Sequence, residues 1–183
     1  FSTIIKNAQK NNITSILTIN TNPEEFISHY KLIQNIKSIF ISYGLHPEHV
    51  SKDTLITKEN IIKNSFKGKV IGIGETGLDF YHSKQFKKEQ LCSFENHIEA
   101  SIETNLPLII HQRNSEKEII EVLQKYQKQY NLKVVLHCFT GTAYLKKFCL
   151  DNNYYISLSG IITFKNAYEL REIIKDIPLS SLL

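Results

Sequence analysis

His46, Glu75, His111 and His137 recur along the chain at intervals of about thirty residues, the length of one strand-plus-helix unit. Each stands at the end of a short apolar run. IFISYGLH ends on His46, VIGIGE on Glu75, LPLIIH on His111 and KVVLH on His137. In a parallel sheet or barrel all carboxyl ends lie on one side, so these residues are expected to meet at one mouth. Two histidines and a glutamate are a ligand set of hydrolytic metal sites. An ion held there lowers the pKa of water toward about 7 and polarises the bond under attack. A carboxylate at a buried strand end is costly to desolvate alone, and a shared cation removes that cost. Singly, Glu75 reads equally well as a capped loop carboxylate or a surface ion pair, and His111 or His137 as a hydrogen-bonded core histidine. The matching placement of Glu75, His111 and His137 is what points to a metal.

Two neighbours have two readings each. Asp79, beyond an expected tight turn at Thr76-Gly77, either accepts from backbone amides or orients a ligand imidazole, or else is an ordinary loop aspartate. Arg113, two residues past His111, either clamps a phosphate oxygen or is a solvated arginine at a helix start. Cys138 is expected to point away from His137 into the wall as a core residue. Arg171, the other arginine, reads as surface, and His29, His49, His82 and His97 show no partner pattern. GIGETG at 72–77 matches the dinucleotide-binding spacing G-x-G-x-x-G. No helical pattern opens at those glycines, however, and a glutamate in the loop would repel a pyrophosphate.

The elements that position these residues alternate. Helices are expected at about 2–11, from Asn22-Pro23 onward, and at about 57–66, 85–104, 142–151 and 166–175. A further helix carries Ile119, Leu123, Tyr126 and Tyr130 on one side. Strands fall at 15–19, 39–44, 70–74, 106–111, 133–137 and 154–159, and SSLL at the end could open another. The strands are continuous apolar runs, as in parallel sheets covered on both faces. Strand–helix alternation leaves a (β/α)8 barrel or an open doubly wound sheet.

With 183 residues the chain can bury one core, and 1–183 reads as a single domain. No apolar stretch approaches the roughly eighteen residues of a membrane span, and no signal peptide pattern opens the chain. The three cysteines form no CxxC pair, which fits a reducing compartment, and a cytoplasmic location is expected. The net charge of +4 is weak support for a nucleic-acid partner. There is no methionine, and the chain opens inside a helical pattern, so an internal piece of a longer protein is expected.

GLHP (44–47), GETGLDF (74–80), LPLIIHQR (106–113), LHCFTGT (136–142) and SGIITFKN (159–166) follow one another in an order and spacing that resembles the TatD family of metal-dependent hydrolases. The resemblance spans nearly the whole chain. It implies a (β/α)8 TIM barrel of the metal-dependent hydrolase type with two divalent ions (Mg, Mn or Zn) at its mouth. It also implies cleavage of phosphodiester bonds in DNA, single-stranded or end-frayed, with no membrane and no obligate protein partner. By position, Glu75 would be the metal-bridging carboxylate and His111 and His137 metal ligands, with His46 and Arg113 near the substrate phosphate. The family's opening strand with His-x-His and its late aspartate, the catalytic base, have no counterpart between Phe1 and Leu183. The expectation is therefore a truncated barrel lacking strand one and most of strand eight, with SILTI and YYISLS as open edges and little activity alone. Two alternatives stand beside it. One is the same barrel acting on a C–N or C–O bond of a small molecule, which a lysine at a strand end would favour. The other is a homologue that binds without turnover.

Overall fold

The computed structural model describes residues 2–81 and 84–183. His82 lies outside them. Six parallel strands form one sheet in chain order: β1 (Ile16–Thr18), β2 (Ile39–Tyr43), β3 (Val70–Asp79), β4 (Leu108–Arg113), β5 (Val134–Leu136) and β6 (Tyr155–Ile156). Helices lie between them: α1 (Ser2–Lys10) before β1, then α2 (Pro23–Ile33), α3 (Lys58–Ser65), α4 (Lys87–Thr104), α5 (Glu116–Gln127) and α6 (Ala143–Asp151), with α7 (Tyr168–Ile174) after β6. Strictly sequential order, with a helix in every crossover, is the connectivity of a (β/α)8 barrel and not of an open sheet that reverses at a switch point. The fold is a curled, six-stranded part of such a barrel.

The local chemistry of the elements is conventional. Asn22 caps α2 by accepting the Glu24 amide at 3.0 Å, and Pro23 fills the first turn, where no amide proton is needed. Thr57 and Thr142 cap α3 and α6 in the same way. Ile41, Ile73, Leu108, Ile110 and Ile156 from the strands are fully buried with Phe94, Ile98, Ile119 and Leu123 from α4 and α5. Tyr130 falls beyond the end of α5 and is exposed, so it does not share the apolar stripe expected of it.

Two expectations about surface elements need correcting. Leu182 bridges Ile156 in parallel, and the Leu183 amide donates to Ile156 O, so the residues after Ser181 partly occupy the β6 edge. The SSLL segment thus begins to pair as a strand there, and YYISLS is not an open edge along its length. Arg171 is not idle on the surface. Its Nη1 donates to Ile162 O at 2.9 Å and Phe164 O at 2.8 Å, clasping the 3-10 turn Gly160–Thr163 against α7.

The central strand departs most from expectation. β3 does not stop at Glu75 and turn at Thr76-Gly77 but runs on to Asp79, paired with β4 as Thr76 to Ile110, Gly77 to His111 and Asp79 to Arg113. Glycine makes this possible. Gly74 and Gly77 have φ of 135° and 133°. A Cβ on Gly77 would lie 2.1 Å from His111 O, and one on Gly74 would lie 2.4 Å from Ile109 O. The G-x-G-x-x-G spacing therefore serves close strand packing, and no helix opens at it.

α4 carries a second, polar stripe on its buried side: Gln90, Ser93, His97 and Ser101. His97 is fully buried, and its Nε2 accepts the Leu45 amide at 3.1 Å. That fixes the proton on Nδ1, which faces Ser93 O at 2.7 Å. The imidazole ties the loop after β2 to α4. Burial holds its pKa down to about 4, against a smaller opposing effect of the Ser93 bond. The unfolded chain takes up that proton at the ordinary imidazole value. The neutral ring therefore contributes stability above about pH 6.5 that declines as pH falls and is lost near pH 4, on the order of 3 kcal/mol in all. His97→Leu, with nothing to titrate there, is expected to be less stable near pH 7 by roughly 1–3 kcal/mol, because Leu45 N–H loses its acceptor. Denaturant unfolding between about pH 7 and about pH 4.5 should show a smaller loss of stability in the variant than in the parent protein.

Candidate metal centre

The strand ends converge as the sequence spacing requires. Glu75 projects from the middle of β3, its backbone fixed by donation of its amide to Asn20 O at 3.0 Å. His111 projects from β4 beside it. His137 follows β5 directly, its amide bound to Ile110 O at 2.8 Å. His46 lies three residues beyond β2, where it opens the 3-10 turn Pro47–His49.

Glu75 Oε1 is the hub. It lies 2.8 Å from His137 Nδ1 and 3.5 Å from His111 Nδ1. The other His111 nitrogen, Nε2, is 2.8 Å from Asp79 Oδ2. One imidazole is therefore set between two carboxylates, both of them 5% exposed. Burial alone would raise the Glu75 pKa, but the contacts with His111 and His137 outweigh it and bring the value down to about 2. Burial likewise works against protonation of His111, and the two carboxylates overcome it, so its pKa rises. The site is thus organised around negative charge that calls for positive partners.

His46, Glu75 and His111 each offer a ligand atom within 4.8 Å of the others, which makes them a candidate metal-binding group. His46 has a further constraint. Its Nδ1 accepts the Glu48 amide at 3.2 Å. Burial, followed by the charge of nearby His111, lowers its pKa to about 4. A neutral ring whose Nδ1 lone pair is taken carries its proton on Nε2. His46 is therefore built as a donor, although its distances alone would also allow a ligand. The ring centroids of His46 and His111 are 4.2 Å apart.

Asp79 does two things at once. While Oδ2 meets His111, Oδ1 accepts the Tyr81 amide at 3.0 Å. The Gln90 side chain holds Asp79 from behind. Its Oε1 accepts the Asp79 amide, and its Nε2 donates to Asp79 O and to Pro47 O, linking Asp79 to the His46 turn. Arg113 lies two residue pairs beyond His111 in the direction of the mouth, and its guanidinium carbon stacks 3.6 Å from the Tyr81 ring centroid. Gln90 and Tyr81 were not picked out from the sequence. Gln90 was legible, since a polar residue in step with Ser93 and His97 on a buried helix face needs a partner. Cys138 is half-buried with Sγ 3.6 Å from His137 Nε2, and it does not point away into the core. Its φ of 46° breaks the extended backbone after β5, so strand alternation no longer applies.

The donor set passes a test of fit for divalent cations. Two buried carboxylates and two partly buried imidazoles share a few ångströms of space, and an ion there would offset the carboxylates' desolvation. The oxygen-rich part of the set suits Mg or Mn, and the imidazoles also suit Zn.

The family model described as TatD related DNase matches residues 1–183. An uncharacterised metal-dependent hydrolase of Buchnera aphidicola is 39% identical over 186 residues, covering 98% of this chain and 70% of the relative. A 3'-5' ssDNA/RNA exonuclease TatD of Escherichia fergusonii is 30% identical over 181 residues, covering 98% of this chain and 69% of that protein. Among solved structures, a TatD homologue from Escherichia coli superposes with a TM-score of 0.81 at 25% identity, covering 93% of this chain and 66% of the other. A TatD family hydrolase from Entamoeba histolytica superposes at 0.79 with 24% identity, covering 98% and 62%, and shows the shared fold. The chain therefore spans roughly two thirds of the length of these proteins.

If Asp79 orients His111, Asp79→Asn should weaken divalent-ion binding roughly 10- to 100-fold by calorimetry while circular dichroism stays unchanged. Equal affinity in the two proteins would remove Asp79 from that role.

Proposed function

This chain belongs to the TatD-related DNase family of metal-dependent hydrolases, and from that premise we propose that it serves the cleavage of phosphodiester bonds in DNA by water. The observation that carries this reading is the convergence of Glu75 with His111 and His137 on a single carboxylate oxygen. In the proposal Glu75, His111 and His137 would hold divalent ions. When bound, such ions supply the positive charge that acidifies an attacking water and offsets charge building on the phosphate.

The chain's own groups do the remaining work. Asp79 accepts a hydrogen bond from His111 Nε2–H, which leaves Nδ1 turned toward Glu75 and the shared cation space. His46 offers its Nε2–H to a phosphate oxygen, held in that tautomer by the Glu48 amide. Arg113 has its guanidinium face on Tyr81, which leaves its in-plane N–H groups to meet a second oxygen. The base that accepts the proton of the attacking water is not among the residues proposed here.

A weakly basic chain suits a polyanionic substrate, and the name of the exonuclease relative includes single-stranded DNA. Among the described residues no helix is long and apolar enough to cross a membrane, and the three cysteines are free, in keeping with the cytoplasmic location we propose. The alternative of a C–N or C–O bond in a small molecule gains no support from lysine, which stands at the carboxyl end of none of the six strands.

Glu75→Gln keeps the size of the side chain and removes its charge. It should abolish stoichiometric Mn binding by calorimetry. It should also reduce cleavage of a single-stranded oligonucleotide by more than the roughly 100-fold that loss of an outer partner costs. Unchanged stoichiometry would remove Glu75 from the site, and metal binding without cleavage of any oligonucleotide by a protein that carries this chain at the length of its relatives would point to the small-molecule or binding-only readings.

A further inference from the structure

Tyr81 stands at the rim of the cluster, and neither the family resemblance nor the proposed chemistry gives it a task. The Asp79 carboxylate joins it to the site, accepting the Tyr81 amide on one oxygen and meeting His111 on the other. Its ring is braced by the Arg113 guanidinium at 3.6 Å, and yet Tyr81 is 53% exposed. An exposed aromatic side chain normally moves among rotamers. This one has its backbone pinned and its ring backed by a planar cation that is itself anchored in β4, opposite Asp79. A rigid, amphipathic ring beside a group suited to phosphate has the chemistry of a surface on which a nucleobase stacks.

We propose that Tyr81, backed by Arg113, is a stacking platform for the base next to the phosphodiester presented to the cluster, and that it selects single-stranded over paired nucleic acid. This rests on the phosphodiester reading given above. Stacking on an aromatic side chain is tolerant of sequence, because every base has a π-face. Its strength is comparable to the cost of taking one base out of a stack. The platform therefore gives net binding where the base is already unpaired, as in a single strand or a frayed end, and little where it must be drawn out of an internal pair.

The test uses short single strands carrying 2-aminopurine, a base whose fluorescence falls when it stacks. The chain has no tryptophan to interfere. Binding is measured in calcium, and cleavage separately in magnesium or manganese. Tyr81→Leu should bind the single strand roughly 10-fold or more weakly and lose quenching at one position of the strand, with Tyr81→Phe restoring both. A strand abasic at that position should bind parent and Tyr81→Leu alike, and an internal blunt duplex should show little difference between them. Equal binding of the base-bearing strand by parent and Tyr81→Leu, or undiminished quenching in Tyr81→Leu, overturns the platform. If the parent cleaves single strands under that outcome, the platform alone fails. If the parent neither binds nor cleaves them, the phosphodiester reading falls with it.

Discussion

A carboxylate withdrawn from water is held in a protein only where positive or hydrogen-bonding partners replace its hydration, and Glu75 is the point at which this chain meets that condition. It sits in the middle of β3, almost wholly buried, with His137 at 2.8 Å and His111 at 3.5 Å from one oxygen. The balance between these effects is visible in its acidity. Burial pushes the carboxyl toward its neutral form, and the two imidazoles reverse that push and leave it charged down to about pH 2. Everything else at the mouth of the sheet can be understood as keeping those imidazoles where they are.

The support is layered. Asp79 holds the outer nitrogen of His111, Gln90 holds the backbone of Asp79, and the same Gln90 reaches Pro47 beside His46. A few steps away, His97 ties Leu45 to α4 and so fixes the loop that delivers His46. The Ser115 hydroxyl donates to Leu78 O at 2.7 Å, pinning β3 between its two carboxylates from the side of α5. Below this network, close approach of β3 to β4 at Gly74 and Gly77 sets the height of Glu75 relative to His111. A side chain at either glycine would force the two strands apart and with them the carboxylate and the imidazole.

The sequence carried the alternation of strands and helices and the identity of the four converging side chains, because these follow from hydrophobic period and from residue type at strand ends, whereas the choice of a barrel over an open sheet came from the family resemblance. What it concealed follows from the backbone of β3. A glutamate after five apolar or glycine positions reads as the end of a strand. The pairing of Thr76 to Asp79 with β4 that carries the strand further depends on glycines in a conformation that composition does not announce. Cys138 was misplaced for a similar reason: its left-handed backbone suspends the alternation from which its direction had been inferred. Gln90 and His97 act through hydrogen bonds to backbone atoms distant in sequence, and Arg171 through carbonyls of the preceding turn, and such partners have no signature in residue type. The buried polar stripe of α4 was the one clue available beforehand.

The chemistry of the site depends on whether the shared carboxylate is a hub for cations or only a salt-bridged strut between two histidines. Those alternatives differ in where an ion goes. Anomalous scattering from a crystal of the protein grown with Mn separates them directly. The account predicts a manganese peak in contact with the Glu75 carboxylate and with a nitrogen of His111 or His137. A structure at saturating Mn in which Glu75 keeps both imidazoles to itself, with manganese elsewhere or absent, would contradict it.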